Sequence, residues 1–296
     1  MKYLNKLKLL LSAIEGEIVK LLIDFGLIRI PSLIKSSLDN SPSLIISLTS
    51  YGRRVRHTVF YTLVSLLRQS NKQVRIILWL DQDEWSMESI PSKLRRLIDK
   101  GIEIKFCNNI MSYKKLIPTL QEYPDSNIIT VDDDIYYPKT LISEFLRMNN
   151  RYPNTIISNA CHKLKFCDGH LAPYNDWELD TTTLDMEIFP TGAGGVFYPI
   201  NSLYKDVIKD DVFMKLAPKA DDVWFFFMAY LNRTRSIKCD RDIRLIPVDL
   251  FYQKFHKGSS LRDSNCGQSQ NDFQINNVMN YYNISVADLE SFCDLK

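Results

Sequence analysis

Ile128-Ile129-Thr130-Val131-Asp132-Asp133-Asp134 decides how this chain is read: an apolar, β-branched run ends abruptly in three carboxylates. The run has the make-up of a buried strand. Adjacent like charges repel, and a site for a divalent cation explains their presence. Hard cations such as Mg2+ or Mn2+ take oxygen ligands and keep phosphate groups as partners. Positions i and i+2 of an extended segment face the same side. Asp132 and Asp134 are therefore the expected metal pair, with Asp133 turned away. The plainer alternative is a solvated acidic loop ahead of a helix opened by Pro138.

Working outward, strand and helix signals alternate. Residues 44–49 (Leu-Ile-Ile-Ser-Leu-Thr) are a short apolar run, and 55–69 read as a helix with Val59, Leu63, Leu66 and Leu67 on one side. Strands are expected at 74–80, 102–106 and 127–131, and helices from Pro91 to near Gly101 and over 113–123. This alternation implies a parallel sheet with right-handed crossovers, whose ligands bind beyond the carboxyl ends of the strands. After about residue 150 the rhythm loosens, with further helices expected near 201–217 and 220–231.

Three more elements carry chemistry. Pro190-Thr191-Gly192-Ala193-Gly194-Gly195-Val196 lets backbone approach a ligand closely. It is no Walker loop, because no Gly-Lys-Ser/Thr follows. Ala220-Asp221-Asp222-Val223-Trp224-Phe225 puts two acids at the start of a very apolar helix. Capping needs one of them, which leaves the other available as a base. His256, after the last strands, is a candidate metal ligand.

In this order, Asp-x-Asp, glycine-rich loop, acidic pair before a helix and late histidine, the chain resembles the GT-A fold of glycosyltransferases over residues 44–258. The wording Ser112-Tyr113-Lys114-Lys115-Leu116-Ile117-Pro118 and Ala220-Asp221-Asp222-Val223-Trp224 is similar to bacterial enzymes that build capsule or lipopolysaccharide glycans. Asp221 stands where the family's pair usually begins with Glu. The resemblance implies an α/β fold and a metal-dependent sugar transfer from a nucleotide donor, with UDP as carrier. It also implies Mn2+ or Mg2+ on Asp132, Asp134 and His256. Donor contacts are implied at Thr49, Tyr51, Arg53, Asp81, Lys114, Lys115, Asp132, Asp133, Gly194 and Gly195. Asp222, with Asp221 beside it, is the implied catalytic base of an inverting reaction. The basic cluster Arg53, Arg54 and Arg56 reads either as a phosphate grip or as a solvated turn.

The composition agrees with a globular protein: 296 residues, 45% hydrophobic and 24% charged. The 37 basic and 35 acidic residues leave a net charge of +2, and this near balance argues against a nucleic-acid partner. Six scattered cysteines without a CxxC pair fit free thiols in a reducing cytosol.

Residues 1–35 read as an amphipathic helical extension. Leu4, Leu7, Leu11, Ile14, Ile18, Leu21 and Phe25 form one stripe, and Lys2, Lys6 and Lys8 cluster at its start. The stripe fits packing against the body or a second subunit, or peripheral contact with anionic lipid. Acidic and basic residues interrupt it too often for a membrane span. The expected location is cytoplasmic, at the inner face of the cell membrane if the helix binds lipid. Residues 36–43 read as a linker. The catalytic domain at 44–258 divides into a donor half (44–150) and an acceptor half (151–258), and 259–296 form a tail with a helix. The acceptor is expected to be a growing surface glycan, free or lipid-linked. Two rivals are weighed: a sugar nucleotidyltransferase, whose basic glycine-rich first loop is missing, and a non-catalytic nucleotide-sugar-binding or assembly protein.

Overall fold

The computed structural model describes residues 2–33, 44–178, 188–241, 243–255 and 270–294. Seven strands form the main sheet: β1 (Leu44–Thr49), β2 (Arg75–Asp81), β3 (Ile102–Cys107), β4 (Asn127–Thr130), β5 (Ile156–Ser158), β6 (Val196–Tyr198) and β7 (Ser236–Lys238). Their order is β7-β5-β6-β4-β1-β2-β3. Every pairing is parallel except those of β6, which runs antiparallel to both β4 and β5. A two-stranded piece, Ile135–Tyr136 with Ile246–Pro247, lies beside the acidic triplet.

Both faces of the central strands are covered, which is why β1 and β2 read as mostly apolar runs, whereas β3 at the sheet edge alternates. Ile129, Ile157, Phe197 and Ile237 point into one core. Their neighbours Ile128, Ile156, Val196 and Tyr198 point into the other, as the period of two requires. The first core takes helices α1 (Lys2–Asp24), α2 (Gly52–His57), α3 (Val59–Leu67), α4 (Ser92–Ile98) and α6 (Leu141–Arg151). The second takes α5 (Ile117–Glu122), α7 (Asp210–Leu216), α8 (Asp221–Leu231), α10 (Gln270–Tyr281) and α11 (Val286–Asp294). A short α9 (Leu250–Phe255) follows the last small strand. The fold is α/β with a mostly parallel sheet between helical layers, as the GT-A resemblance implied, and carries an additional helix at its N-terminal side.

Three expected helices prove to be broken. Residues 55–69 divide into α2 and α3 at Thr58 (φ −124°, ψ −56°). Its hydroxyl donates to Asp249 at 3.1 Å, so a tertiary bond sets the break. Residues 113–123 divide into a 3-10 turn, Met111–Lys115, and α5. Residues 201–217 divide into a 3-10 turn, Lys205–Ile208, and α7. Pro91 and Gly101 do bracket α4, Gly101 in the left-handed region at φ +102°.

The first helix docks by a face other than its apolar stripe. Ala13, Val19 and Ile23 are buried, while Leu11, Ile14, Ile18, Leu21 and Phe25 of the predicted stripe are exposed. Small residues decide this. A Cβ at Gly16 would lie 2.1 Å from the Pro247 carbonyl oxygen, so only glycine lets α1 come so close to that strand. Val19 and Ile23 join the first core, and α1 is therefore part of the body. The linker at 36–43 lies outside the described residues. The part of the tail described from Gln270 onward covers α8 through Ile275, Val278, Met279 and Leu289. Among the described residues no helix is long and apolar enough to cross a membrane.

Gly16→Val should destabilise the protein by about 1–3 kcal/mol, the usual cost of overpacking. A lowered midpoint in urea, with circular dichroism as the probe, checks this. An unchanged midpoint would show that the contact with Pro247 relaxes without cost.

Candidate active site

The motifs meet at the carboxyl edge of the parallel strands, where β1 ends in Thr49, β2 in Asp81 and β4 in Thr130. Beyond Thr130 the chain leaves extended geometry and turns at Asp133 and Asp134. The i and i+2 rule of a strand no longer applies there. Asp133 and Asp134 consequently share one cation, and the expectation that Asp133 alone turns away is corrected.

That cation is Arg54, on α2. Its guanidinium lies 2.7 Å from Asp133 and 3.1 Å from Asp134, with Asp249 at 3.7 Å. Ser50 also donates to Asp133, at 2.5 Å. Burial and the like charge of Asp134 push the Asp133 carboxyl up to about 6, against the pull of Arg54. Gln253 donates to Asp134 at 2.8 Å. Arg53 donates to Asp249 at 2.7 Å and its guanidinium stacks 3.4 Å above the Tyr252 ring. Arg56 lies over Trp85. Within the basic cluster, Arg53 and Arg54 are engaged by carboxylates, while Arg56 remains exposed.

A second cation, Lys115, holds the other acids. Its ammonium lies 2.7 Å from Asp221 and 4.0 Å from Asp222. The carboxylates of Asp221, Asp222 and Asp132 hold it above its ordinary pKa although burial opposes this. Ser112 donates to Asp221 at 2.8 Å. Asp222 accepts from the Gly192 backbone N–H at 3.1 Å. Burial, then the charge of Asp221, push Asp222 up to about 6. Its side chain remains 34% exposed, against 9% for Asp221. Gly192 is the glycine that faces this group. A Cβ there would meet the Lys115 Nζ at 2.6 Å, Asp222 at 3.2 Å and Asp132 at 3.8 Å. Gly194 and Gly195 serve the loop instead, with φ of +85° and +101° and packing against Asn159 and Phe145.

The other predicted donor residues spread along the same edge. The Thr49 hydroxyl donates to the Trp79 carbonyl. Tyr51 is exposed with Arg54 near its ring. Asp81 is buried and accepts from the Asp83 N–H at 2.9 Å. Lys114 donates to Asn109 at 2.7 Å, and burial lowers its pKa against the pull of Asp81. His256 lies outside the described residues. Asn109, Gln253 and Asp249 escaped the sequence reading. Asp249, ahead of α9, has the look of a helix cap, and only the long-range pairing with Arg53 and Arg54 gives it away.

Among the described residues, no three His, Cys, Asp or Glu side chains converge as a metal group. Asp132 nevertheless fits part of one. Burial, with the charges of Asp134, Asp222 and Asp133, pushes it up to about 7 in spite of Lys115. Among the described residues no side chain donates a hydrogen bond to its carboxylate. It is an acid short of positive charge, which is what a cation ligand is before its ion arrives.

No family model matches the chain, and no curated protein matches it. Among solved structures it is similar to TarS of S. aureus, residues 1–349: 16% identity, TM-score 0.45, covering 71% of this chain and 62% of that one. The same protein in complex with UDP gives 15% identity, TM-score 0.44 and the same coverage. In complex with UDP-GlcNAc it gives 15%, 0.41, and 68% and 57% coverage. The chain spans less than two thirds of the length of these structures.

Two outcomes test the electrostatics. Arg54→Met should cost about 3–5 kcal/mol, because it strands the buried Asp133. Adding Asp133→Asn should recover much of that loss in urea unfolding, and no recovery would refute the pairing. Asp222 titrates at about 6 folded against 3.8 for the ordinary group. The folded state holds the proton more tightly, so stability falls as pH rises from below 3.8 through about 6. Asp222→Asn should therefore melt higher than the wild type at pH above this window and lose the advantage below it. A constant difference across the range would sink the claim.

Proposed function

We propose that the chain is a metal-dependent, inverting glycosyltransferase that moves a sugar from a nucleotide donor, with UDP as carrier, to a growing bacterial surface glycan. One observation carries this reading. Asp222 is a partly open carboxylate at the start of a buried helix, fixed by the Gly192 N–H and raised to about 6, beside the Lys115–Asp132 cluster. Rigid placement and a pKa near the working pH are what general-base catalysis needs.

Asp222 takes the proton of the acceptor hydroxyl, whose oxygen bonds to the anomeric carbon. The bond from that carbon to the diphosphate oxygen breaks, and its electron pair leaves with the nucleoside diphosphate. Lys115 holds Asp221 still and keeps Asp222 ionised at neutral pH. Asp132, with Asp134 once it leaves Arg54 and His256 as the third candidate, would hold Mg2+ or Mn2+, which when bound offsets charge on the departing diphosphate. Asp81 would bind the uracil or ribose of the donor, and Lys114 would neutralise its diphosphate. The proposed place of action is the cytoplasmic face of the cell membrane, where nucleotide-sugars and a lipid-linked acceptor meet.

Asp222→Asn should lower kcat by about 10²–10⁴-fold, the usual contribution of a general base. The wild-type kcat/KM should fall as pH drops through about 6, where the base takes up its proton. NMR of the product should show the anomeric configuration opposite to the donor's. Retained configuration, or a loss in kcat under about tenfold, overturns the base assignment. EDTA should abolish turnover and Mn2+ restore it.

A further inference from the structure

The α1 surface turned away from the body carries an apolar stripe that the catalytic reading does not use. Leu11, Ile14, Ile18, Leu21, Phe25 and Leu27 follow one another along it, exposed by 56%, 41%, 50%, 54%, 76% and 73%. Residues at steps of three and four share a helix face, so this is one continuous strip and not scattered side chains. An exposed strip of this kind marks an interaction surface.

Its charge says what covers it. The acids on α1 are already neutralised within the protein: Glu15 by Arg244, Glu17 by Lys20 and Asp24 by Lys93. Bases lie at both its ends. Lys2, Lys6 and Lys8 lie in the first turns of the helix. At the far end, Arg68 donates to the Arg29 carbonyl, and Lys72 sits among Arg68 and Lys139. Among the described residues, none of Arg29, Arg68, Lys72 and Lys139 is ion-paired to a carboxylate. The strip is thus bounded by positive charge at both ends.

A second copy of the chain is a poor occupant. A twofold axis would set the Lys2–Lys8 end against the Arg29–Lys139 end, or each end against itself, and like charges would meet either way. A flat anionic surface accepts both ends and the apolar strip at once. We infer that α1, with Arg29, Arg68, Lys72 and Lys139, docks on anionic lipid headgroups and buries its apolar strip at the acyl boundary. This inference is independent of the catalytic reading, and its test measures no turnover.

Co-sedimentation of the full chain with phosphatidylcholine vesicles, with or without phosphatidylglycerol, tests it. The wild type should pellet with the anionic vesicles, weakly with the neutral ones, and less as salt rises. Each basic residue near an anionic surface contributes about fivefold, so Arg29→Gln/Lys139→Gln should weaken binding about 25-fold. Both residues are exposed, so this variant keeps its fold. Ile18→Ser/Leu21→Ser/Phe25→Ser should release the protein from both kinds of vesicle, with its circular dichroism unchanged. Equal binding to neutral and anionic vesicles overturns the inference, as does no binding to either. So does a dimer in light scattering that the triple variant turns into a monomer.

Discussion

Consecutive carboxylates can be kept at the end of a buried strand only if positive charge is carried to them, because desolvation favours their neutral forms. Two cations do this from different parts of the chain. Arg54 comes from α2 and serves Asp133, Asp134 and Asp249. Lys115 comes from the 3-10 turn before α5 and serves Asp221, with Asp222 and Asp132 close by. The chain order from β1 to α9 is arranged around these two groups. The break between α2 and α3 lets Thr58 join Arg53 and Arg54 on Asp249. The 3-10 turn brings Ser112 and Lys115 together onto Asp221.

The two ion groups are unequal. In the Arg54 group the carboxylates have hydrogen-bond donors: Ser50 to Asp133, Gln253 to Asp134 and Thr58 to Asp249. That group holds the loop in place. In the Lys115 group Asp221 and Asp222 have donors in Ser112 and the Gly192 N–H, but no side chain among the described residues donates to Asp132, which is raised furthest, to about 7 against about 6 for Asp222 and Asp133. Such a deficit costs stability, and natural sites accept that cost where the groups must act on something else.

Much of this was legible in the sequence where burial dictates residue type. β1 reads correctly to the residue because both its faces are covered and its run is mostly apolar. The start of α8 reads correctly because its apolar run fixes the helix. What escaped has tertiary causes. The helix break at Thr58 depends on Asp249, distant in sequence. The direction of Asp134 depends on a turn that begins within the acidic triplet. Gly192 was passed over for Gly194 and Gly195 because all three look alike until the Lys115 ammonium is placed beside the first. Which face of α1 meets the body was left open by its stripe, and the structure seats it through Ala13 and Gly16, whose small size admits the close contact.

The seat of α1 has a consequence for how the protein is made. Gly16 rests on the Pro247 carbonyl, and the neighbouring Val248 N–H donates to the Asp134 carbonyl. During synthesis α1 emerges from the ribosome long before the strand that receives it, and contacts so distant in sequence form late. Throughout that interval the helix can meet Tyr61 and Lys93 but lacks the carbonyl on which Gly16 rests. The helix made early therefore completes its seat only when that late strand arrives.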